Sequence, residues 1–195
     1  MSVDPSAAPV RERGVRSRAG NAMHRTRIAV LDGAVRAVEK HGSRRATMAD
    51  IAMLAGIAKG TLYNHFRTKE AVYAAAVDAG IRSLAEDCTA AAADGVAEAL
   101  AVAAERLGSH PALRRIAADE PAVLAALMTI SDDPTWMLAR ESVQALLAAG
   151  GRGTEPATVE LVLRWLVSFV GAPGHAVEAQ SGQLSAALPS GAGPA

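Results

Sequence analysis

The stretch from Thr47 to Lys69 constrains the fold most, because it specifies two short helices joined by a tight turn. Thr47 and Asp50 have the spacing of a capping box, in which each side chain satisfies a backbone N–H of the other residue at the start of a helix. Gly56 suits the residue that ends this helix, because glycine adopts a left-handed conformation without strain. The stretch therefore predicts a helix-turn-helix over residues 46–66.

The second helix of this unit begins at Ala58 or Lys59 and has two unlike faces. Leu62 and Phe66, four residues apart, form an apolar inner face. The other face is rich in hydrogen-bond donors and consists of Lys59, Thr61, Tyr63, Asn64 and His65. A helix with one apolar face and one donor-rich face is typical of the element that a helix-turn-helix places in the DNA major groove.

The composition predicts an all-α fold. Half of the 195 residues are apolar but only 3% are aromatic, so the core has to be built from Ala, Leu, Val, Ile and Met. An alanine-rich composition without runs of β-branched residues favours helices over strands. Apolar residues at helical spacing predict further helices over about 24–41, 69–93, 96–107, 112–118, 122–130, 135–149 and 155–170.

Shifts in composition divide the chain into four segments. Residues 1–22 are rich in Arg, Ser, Pro and Gly and are predicted to be a disordered basic arm. Residues 23–82 are the predicted DNA-binding domain. Residues 83–175 are a predicted helical domain for regulation and dimerisation, and residues 176–195 are a predicted flexible tail.

The net charge of zero conceals a strong asymmetry. Residues 1–70 carry 13 Lys and Arg against 6 Asp and Glu, a net charge of +7. Residues 71–195 carry 7 against 14, a net charge of −7. Such an asymmetry is expected when one end of a chain meets a polyanion, and it favours nucleic acid as the partner of the N-terminal part.

Several classes of site have no signal in the sequence. The single cysteine, Cys88, excludes an intramolecular disulfide and a multi-cysteine metal site. The five histidines lack metal-ligand spacing, and there is no phosphate-binding loop or nucleophile motif, so we expect no catalytic site, no metal and no cofactor. The sequence also lacks an apolar signal segment and the ~18-residue apolar run of a membrane helix, so we expect a cytoplasmic protein.

The signature that runs from Thr47 to Glu70 resembles that of the TetR family of bacterial transcriptional regulators. The resemblance extends over about residues 23–82 and rests on Asp50-Ile51-Ala52, Ala55-Gly56-Ile57, Gly60-Thr61-Leu62-Tyr63, His65-Phe66 and Lys69-Glu70. It implies a homodimer with small DNA-binding heads and larger regulatory domains. It also implies a repressor that a small ligand releases from operator DNA.

The resemblance also implies which residues meet DNA. The positions of recognition-helix contacts fall on Lys59, Gly60, Thr61, Tyr63, Asn64 and His65. Thr47 and Lys69 fall at phosphate-facing places at the start of two helices. By their chemistry, Lys59 suits guanine and Asn64 suits adenine, whereas Tyr63 and His65 have either a phosphate-binding or a structural role. Arg25 and Arg27, where the basic arm joins the first helix, are expected to contact the DNA backbone or minor groove, the alternative being a solvated tail.

The last two apolar helices predict a dimer interface formed with their symmetry mates, the alternative being an intramolecular core. The interface is assigned to Trp136, Val143, Leu147, Val159, Leu163, Leu166 and Val170. An effector pocket would have apolar walls, which suits a small, largely apolar ligand. Its candidate residues are Leu100, Leu107, Leu113, Ile116, Leu124, Leu127, Met128, Met137 and Trp165. A solidly packed core would instead favour a regulator without a small-molecule ligand, one that is controlled by a protein partner or acts as an architectural DNA binder.

Overall fold

A computed structural model describes residues 13–172 and 174–191, with side chains from residue 22 onward. Within this part of the chain the fold is all-α, as predicted, and its only β-type pairing is one isolated bridge between Arg152 and Ser190. The helices are α1 (Arg13–His41), α2 (Met48–Leu54), α3 (Lys59–His65), α4 (Lys69–Ala91), α5 (Val96–Ser109), α6 (Pro111–Asp119), α7 (Pro121–Leu127), α8 (Pro134–Ala149), α9 (Pro156–Val167) and α10 (Val177–Ala187). None of these helices is both long and apolar enough to cross a membrane.

The N-terminal unit, which we call the head (residues 23–82), has its own core between α1, α2, α3 and the start of α4. Val30, Ile51, Leu62 and Val72 have no solvent-accessible surface in this core. Gly33 allows α1 and α2 to approach closely, because a Cβ at this position would lie 2.8 Å from the Cβ of Ala55. The head is therefore a compact unit in which the helix-turn-helix is held from behind by α1.

The remaining described residues, 83–191, form the body, whose main core lies between α5, α8 and α9. Leu100, Leu147 and Val162 are completely buried there. Trp136 and Trp165 are partly buried and pack against the same cluster. Helix α4 joins the two units, because it packs against α1 in the head and against α5 and α8 in the body.

The first helix is longer than predicted. It begins at Arg13 instead of His24, so residues 13–22 of the predicted disordered arm are helical, while residues 1–12 lie outside the described residues. No proline follows Pro9 in this region, and an internal glycine such as Gly14 weakens a helix by only about 1 kcal/mol. Nothing in the composition of residues 13–22 ends a helix, so α1 extends into the segment that was predicted to be disordered.

The predicted flexible tail, 176–195, contains α10. Val177, Ser181, Ser185 and Leu188 are buried, and α10 packs along the alanine-rich face of α5. The prediction was wrong here because serine counts as polar in a composition argument, although its small side chain lets two helices approach closely. After α10, the N–H of Gly191 donates to the carbonyl of Gly151 at 2.9 Å, which ties this segment to the α8–α9 loop. Residues 192–195 lie outside the described residues.

The predicted dimer-interface residues lie mostly in the core of the single protomer. Side chains that fill the protomer core leave little surface for a partner, so the structure favours the intramolecular alternative for this set. The buried members are Val143, Leu147, Val159, Leu163 and Leu166, while Trp136 and Val170 are half-buried. Periodicity identified an apolar face correctly but not the helices that cover it.

The predicted pocket residues are also dispersed. Leu100, Leu107 and Trp165 belong to or border the main body core, and Met137 is 52% exposed. A separate cluster between α1, α6 and α7 contains Ile116, Leu124 and Leu127, together with Val38 of the head. Leu113 and Met128 are half-buried. The structure therefore does not bring the nine residues around one cavity.

Candidate nucleic-acid interface

The start of α2 has the predicted capping box. The Oγ1 of Thr47 accepts from the backbone N–H of Asp50 at 3.2 Å, and the Asp50 carboxylate accepts from the backbone N–H of Thr47 at 2.9 Å. The Thr47 hydroxyl also donates to the Asp50 carboxylate at 2.7 Å. The hydrogen bonds that the Thr47 hydroxyl and backbone N–H donate to this carboxylate hold the pKa of Asp50 below its ordinary value. The hydroxyl proton is thus used inside the protein, so the Thr47 hydroxyl is not free to donate at the phosphate-facing place that the resemblance implies.

The turn between α2 and α3 is closed by backbone hydrogen bonds. Gly56 has the predicted left-handed conformation, with φ of +67°, and its N–H donates to the carbonyl of Met53 at 3.1 Å. The N–H of Ile57 donates to the carbonyl of Ala52 at 3.1 Å. This turn directs α3 away from α2 so that only one side of α3 packs on the head.

Helix α3 has the two faces that the sequence predicted. Leu62 is completely buried, and Phe66, at the C-terminal cap, is almost so. The opposite face is open to solvent and presents Lys59, Gly60, Thr61, Tyr63 and Asn64, with His65 half-buried at its end. The Lys59 ammonium lies 5.9 Å from the centroid of the Tyr63 ring, so these two side chains lie together one turn apart.

Gly60 has no packing reason to be glycine. A Cβ at this position would meet no other atom within 4 Å, and alanine is a better helix former. The residue therefore either is unconstrained or serves something outside the protein that approaches the backbone of α3 closely.

Arginines of α1 flank the end of α3. The Arg27 guanidinium lies over the ring of Phe66, 4.8 Å from its centroid, in a cation–π contact that joins α1 to α3. Arg25 is exposed two residues earlier. Arg67, exposed between α3 and α4, adds a further cation that the sequence motifs did not predict. The sequence indicates Arg67 only as a basic residue that closely follows the recognition helix.

Comparison with known proteins identifies the family. A model described as bacterial regulatory proteins of the tetR family matches residues 30–76. The uncharacterized HTH-type transcriptional regulator MT1294 of Mycobacterium tuberculosis is 34% identical over 148 residues, which cover 72% of this chain and 70% of that protein. The chain belongs to the TetR family. Its members are regulatory proteins, which agrees with the expectation that the chain is not an enzyme.

Other similarities are more local or structural. The HTH-type transcriptional regulator TtgR of Pseudomonas putida is 43% identical over 53 residues, and this match spans 27% of the chain but only 25% of that relative. The crystal structure of the TetR family repressor AlkX from Dietzia superposes with a TM-score of 0.63 at 19% identity, covering 82% of this chain and 91% of that one. The structural match therefore confirms a TetR fold that extends well beyond the helix-turn-helix.

Lys69 differs from the phosphate-facing role that resemblance to the TetR family implied. Its ammonium donates to three backbone carbonyls, those of Ser43 at 3.0 Å, Arg44 at 3.2 Å and Ala46 at 3.1 Å. An ammonium has three protons, so all are engaged inside the head. Lys69 thus shapes the loop between α1 and α2, a role that no local pattern could reveal because its partners lie more than 20 residues away.

Two grooves on the described part of the body of this TetR-family protein are not lined by the predicted pocket residues. One, of about 530 Å³, lies between α8 and α9 and is lined by Arg140, Gln144, Thr154, Pro156, Ala157, Val159 and Glu160. The other, of about 330 Å³, lies where α5 meets the start of α10. The described residues contain no cluster of three or more potential metal-ligating side chains.

Proposed function

We propose that this protein is a sequence-specific DNA-binding transcriptional regulator in which α3 enters the major groove of operator DNA. The observation that carries this proposal is the exposed donor-rich face of α3, combined with the free space around Gly60. An α-helix fits the major groove, where each base pair presents a distinct pattern of donors and acceptors. The positive charge of residues 1–70 supplies the attraction to phosphate.

The side chains of α3 suit different parts of the duplex. By its chemistry Lys59 suits O6 or N7 of guanine as a donor, and Asn64 suits a bidentate pair with adenine. Thr61 and Tyr63 suit phosphate oxygens or a thymine methyl group. Gly60 lets the backbone of α3 come close to the sugar-phosphate chain. Arg25 and Arg67 add phosphate contacts at the edges of the same surface.

The regulator is proposed to act as a homodimer. The buried sides of α8 and α9 fill the protomer core, so the partner is expected on their outer sides. Met137 on α8 and Leu161 on α9 are each 52% exposed, and Ala157 is exposed one turn before Leu161. A twofold dimer through this surface presents two heads to half-sites about one helical turn, ~34 Å, apart.

The regulator is further proposed to be a repressor that a small, largely apolar ligand releases from DNA. Three predicted pocket residues, Ile116, Leu124 and Leu127, pack against Val38 of the head. An apolar ligand that entered this cluster would separate α6 from α1 and disturb the head. Because the cluster is packed in the described structure, control by a protein partner stays the competing proposal, and a titration of the operator complex with apolar ligands separates the two.

The DNA-binding proposal is tested by selecting bound sequences from random duplex DNA and measuring affinities for the selected operator. Lys59→Ala should weaken operator binding by about tenfold per half-site while non-specific binding falls less. Arg114→Ala, an exposed cation of the body, is the matched control and should leave both unchanged. The affinity should fall steeply with salt. Failure to enrich any sequence, or a flat salt response, would refute the proposal.

A further inference from the structure

A buried carboxylate connects the body to the head. Glu120, between α6 and α7, is only 8% exposed, which is rare for glutamate unless the charge is compensated. The Oγ of Ser43 donates to its Oε2, and the backbone N–H of Arg44 donates to its Oε1 at 3.4 Å. Both donors belong to the loop that joins α1 to α2, so a residue of the body holds the segment that leads into the helix-turn-helix.

The body side of this connection is rigid. The N–H of Glu120 donates to the carbonyl of Ile116 at 2.8 Å and so ends α6. Its carbonyl accepts from the N–H groups of Val123 at 2.9 Å and Leu124 at 3.0 Å and so begins α7. The backbone of Glu120 is therefore fixed by two helices. Burial opposes ionisation of its carboxyl, but the hydrogen bonds from Ser43 and Arg44 outweigh it and keep the pKa below its ordinary value.

On the head side, the loop between α1 and α2 is also hydrogen-bonded to α4. The carbonyl of Ser43 accepts from the Tyr73 hydroxyl at 3.1 Å and from the Lys69 ammonium at 3.0 Å, both on α4. Gly42 has φ of +79°, and a Cβ there would lie 2.3 Å from Oε1 of Glu120. The glycine thus both ends α1 and leaves room for the carboxylate. The loop over residues 42–46 is fixed between α4 on one side and Glu120 on the other.

Apolar contacts alone would leave the angle between head and body poorly defined. Val38 packs against Ala112 and Ile116 across the same boundary, but apolar packing has no directional preference. Hydrogen bonds to a carboxylate do, because they require particular distances and angles. The Glu120 contacts therefore fix the loop relative to α6 and α7, in addition to the contacts of Lys69 and Tyr73 that fix it relative to α4, and through Thr47 they bear on the orientation of α2 and α3.

We propose that Glu120 is a positioning residue that fixes each head on its body at the angle at which two heads of a dimer match one spacing of operator half-sites. This inference rests on the proposed DNA-binding dimer. A change of one base pair between half-sites shifts one of them by about 3.4 Å and rotates it by about 34° around the duplex. A head whose orientation is fixed by Glu120 binds a shifted half-site weakly, whereas a head without this contact adjusts its orientation to the shifted half-site.

The test compares the selected operator with versions that have one base pair inserted or deleted between the half-sites. Dissociation constants are measured for the wild type, Glu120→Ala, Ser43→Ala and the control Glu98→Gln, an exposed carboxylate of α5. We expect wild type and control to bind the altered spacings at least about tenfold more weakly than the selected one. In Glu120→Ala and Ser43→Ala this ratio should shrink to about threefold or less, because the selected spacing loses affinity and the altered ones gain relative to it.

The spacing ratio separates positioning from general stability. A purely structural role would lower the Tm and leave the ratio at its wild-type value, and that result overturns the proposal. If Glu120→Ala does not fold by circular dichroism, Ser43→Ala decides, because it removes one hydrogen bond and leaves the buried carboxylate its second donor. If the wild type selects no operator, the proposed function itself is wrong. If an operator is selected but all variants show the same spacing ratio, only the proposal for Glu120 is wrong.

Discussion

The head and the body both have apolar cores, but residues that fix the backbone at turns and helix ends lie closer together along the chain in the head. In the head, turns and helix ends depend on particular residues: Thr47 and Asp50 at the start of α2, and Gly42 and Gly56 in left-handed conformations. In the body, such residues, Gly95, Asp133 and Gly151 among them, lie far apart along the chain, and α5, α8 and α9 share a core of Ala, Leu and Val. The comparison teaches that a recognisable signature arises where backbone geometry is fixed by local chemistry, while a packed core tolerates many sequences.

The largest effect is expected in the body core. Leu147 has no exposed surface, so Leu147→Ala should lower the free energy of unfolding by about 3 kcal/mol. Urea denaturation measures this change. Val77→Ala, at a 40% exposed position of α4 outside the proposed dimer surface, is the control and should cost less than about 1 kcal/mol. Equal losses for the two variants would contradict the complete burial of Leu147.

In the head, the tight crossing of α1 and α2 makes Gly33 sensitive. Gly33→Ala should lower the free energy of unfolding by about 2 kcal/mol, because the new Cβ meets Ala55 and the carbonyl of Ile51 at less than 3 Å. Gly80→Ala, at an open position in α4, should instead raise it by about 1 kcal/mol. Thermal unfolding of both variants checks the opposite signs, and a stable Gly33→Ala would show that the crossing can widen.

The capping box should contribute less to the free energy of unfolding than the packing of Leu147 or Gly33. Thr47→Ala removes the side-chain cap of α2 and should cost about 1 kcal/mol in the free energy of unfolding. The low pKa of Asp50 adds stability that is present above its ordinary value of 3.8 and is lost as the pH falls through the lower folded value. When the free energy of unfolding is measured at decreasing pH, it should therefore depend less on pH in Thr47→Ala than in wild type. Thr89→Ala, within α4, is the control and should keep the wild-type profile.

The smallest effect on stability is expected at Gly60. Gly60→Ala should raise the free energy of unfolding by up to about 1 kcal/mol, because alanine is the better helix former and meets no atom. Operator affinity should nevertheless fall, since the added methyl group separates α3 from the duplex. Fluorescence anisotropy with labelled operator measures the affinity. Unchanged affinity would mean that the backbone of α3 does not approach DNA closely at this position.

The head could largely be read from the sequence. The capping box, the Gly42 and Gly56 helix ends and the Thr68 cap of α4 all lie within a few residues of their partners. The sequence could not reveal that Lys69 binds the α1–α2 loop, or that Glu120 does so from the body. Those contacts join residues 23 to 77 positions apart, and no local sequence pattern at either residue indicates its partner.

The sequence predicted most helices of the body, but it did not predict which side of each helix is buried and which is exposed. Helix α9 is apolar on several sides, and periodicity does not say which neighbour covers each side. Val159 and Leu163 face the protomer core, whereas Leu161 faces outward. Helix α10 was missed because its buried residues, Ser181 and Ser185 among them, resemble those of a linker. In both cases the deciding information is tertiary packing.

The aromatic residues separate the two units spectroscopically. Both tryptophans, Trp136 and Trp165, pack in the body, and Trp165 makes an edge-to-face contact with Phe169 at 4.8 Å. Both tyrosines, Tyr63 and Tyr73, lie in the head. Tryptophan emission of the native, unlabelled protein thus reports changes around α8 and α9. Tyrosine signals, one on the exposed face of α3 and one beside the loop held by Glu120, report events in the head.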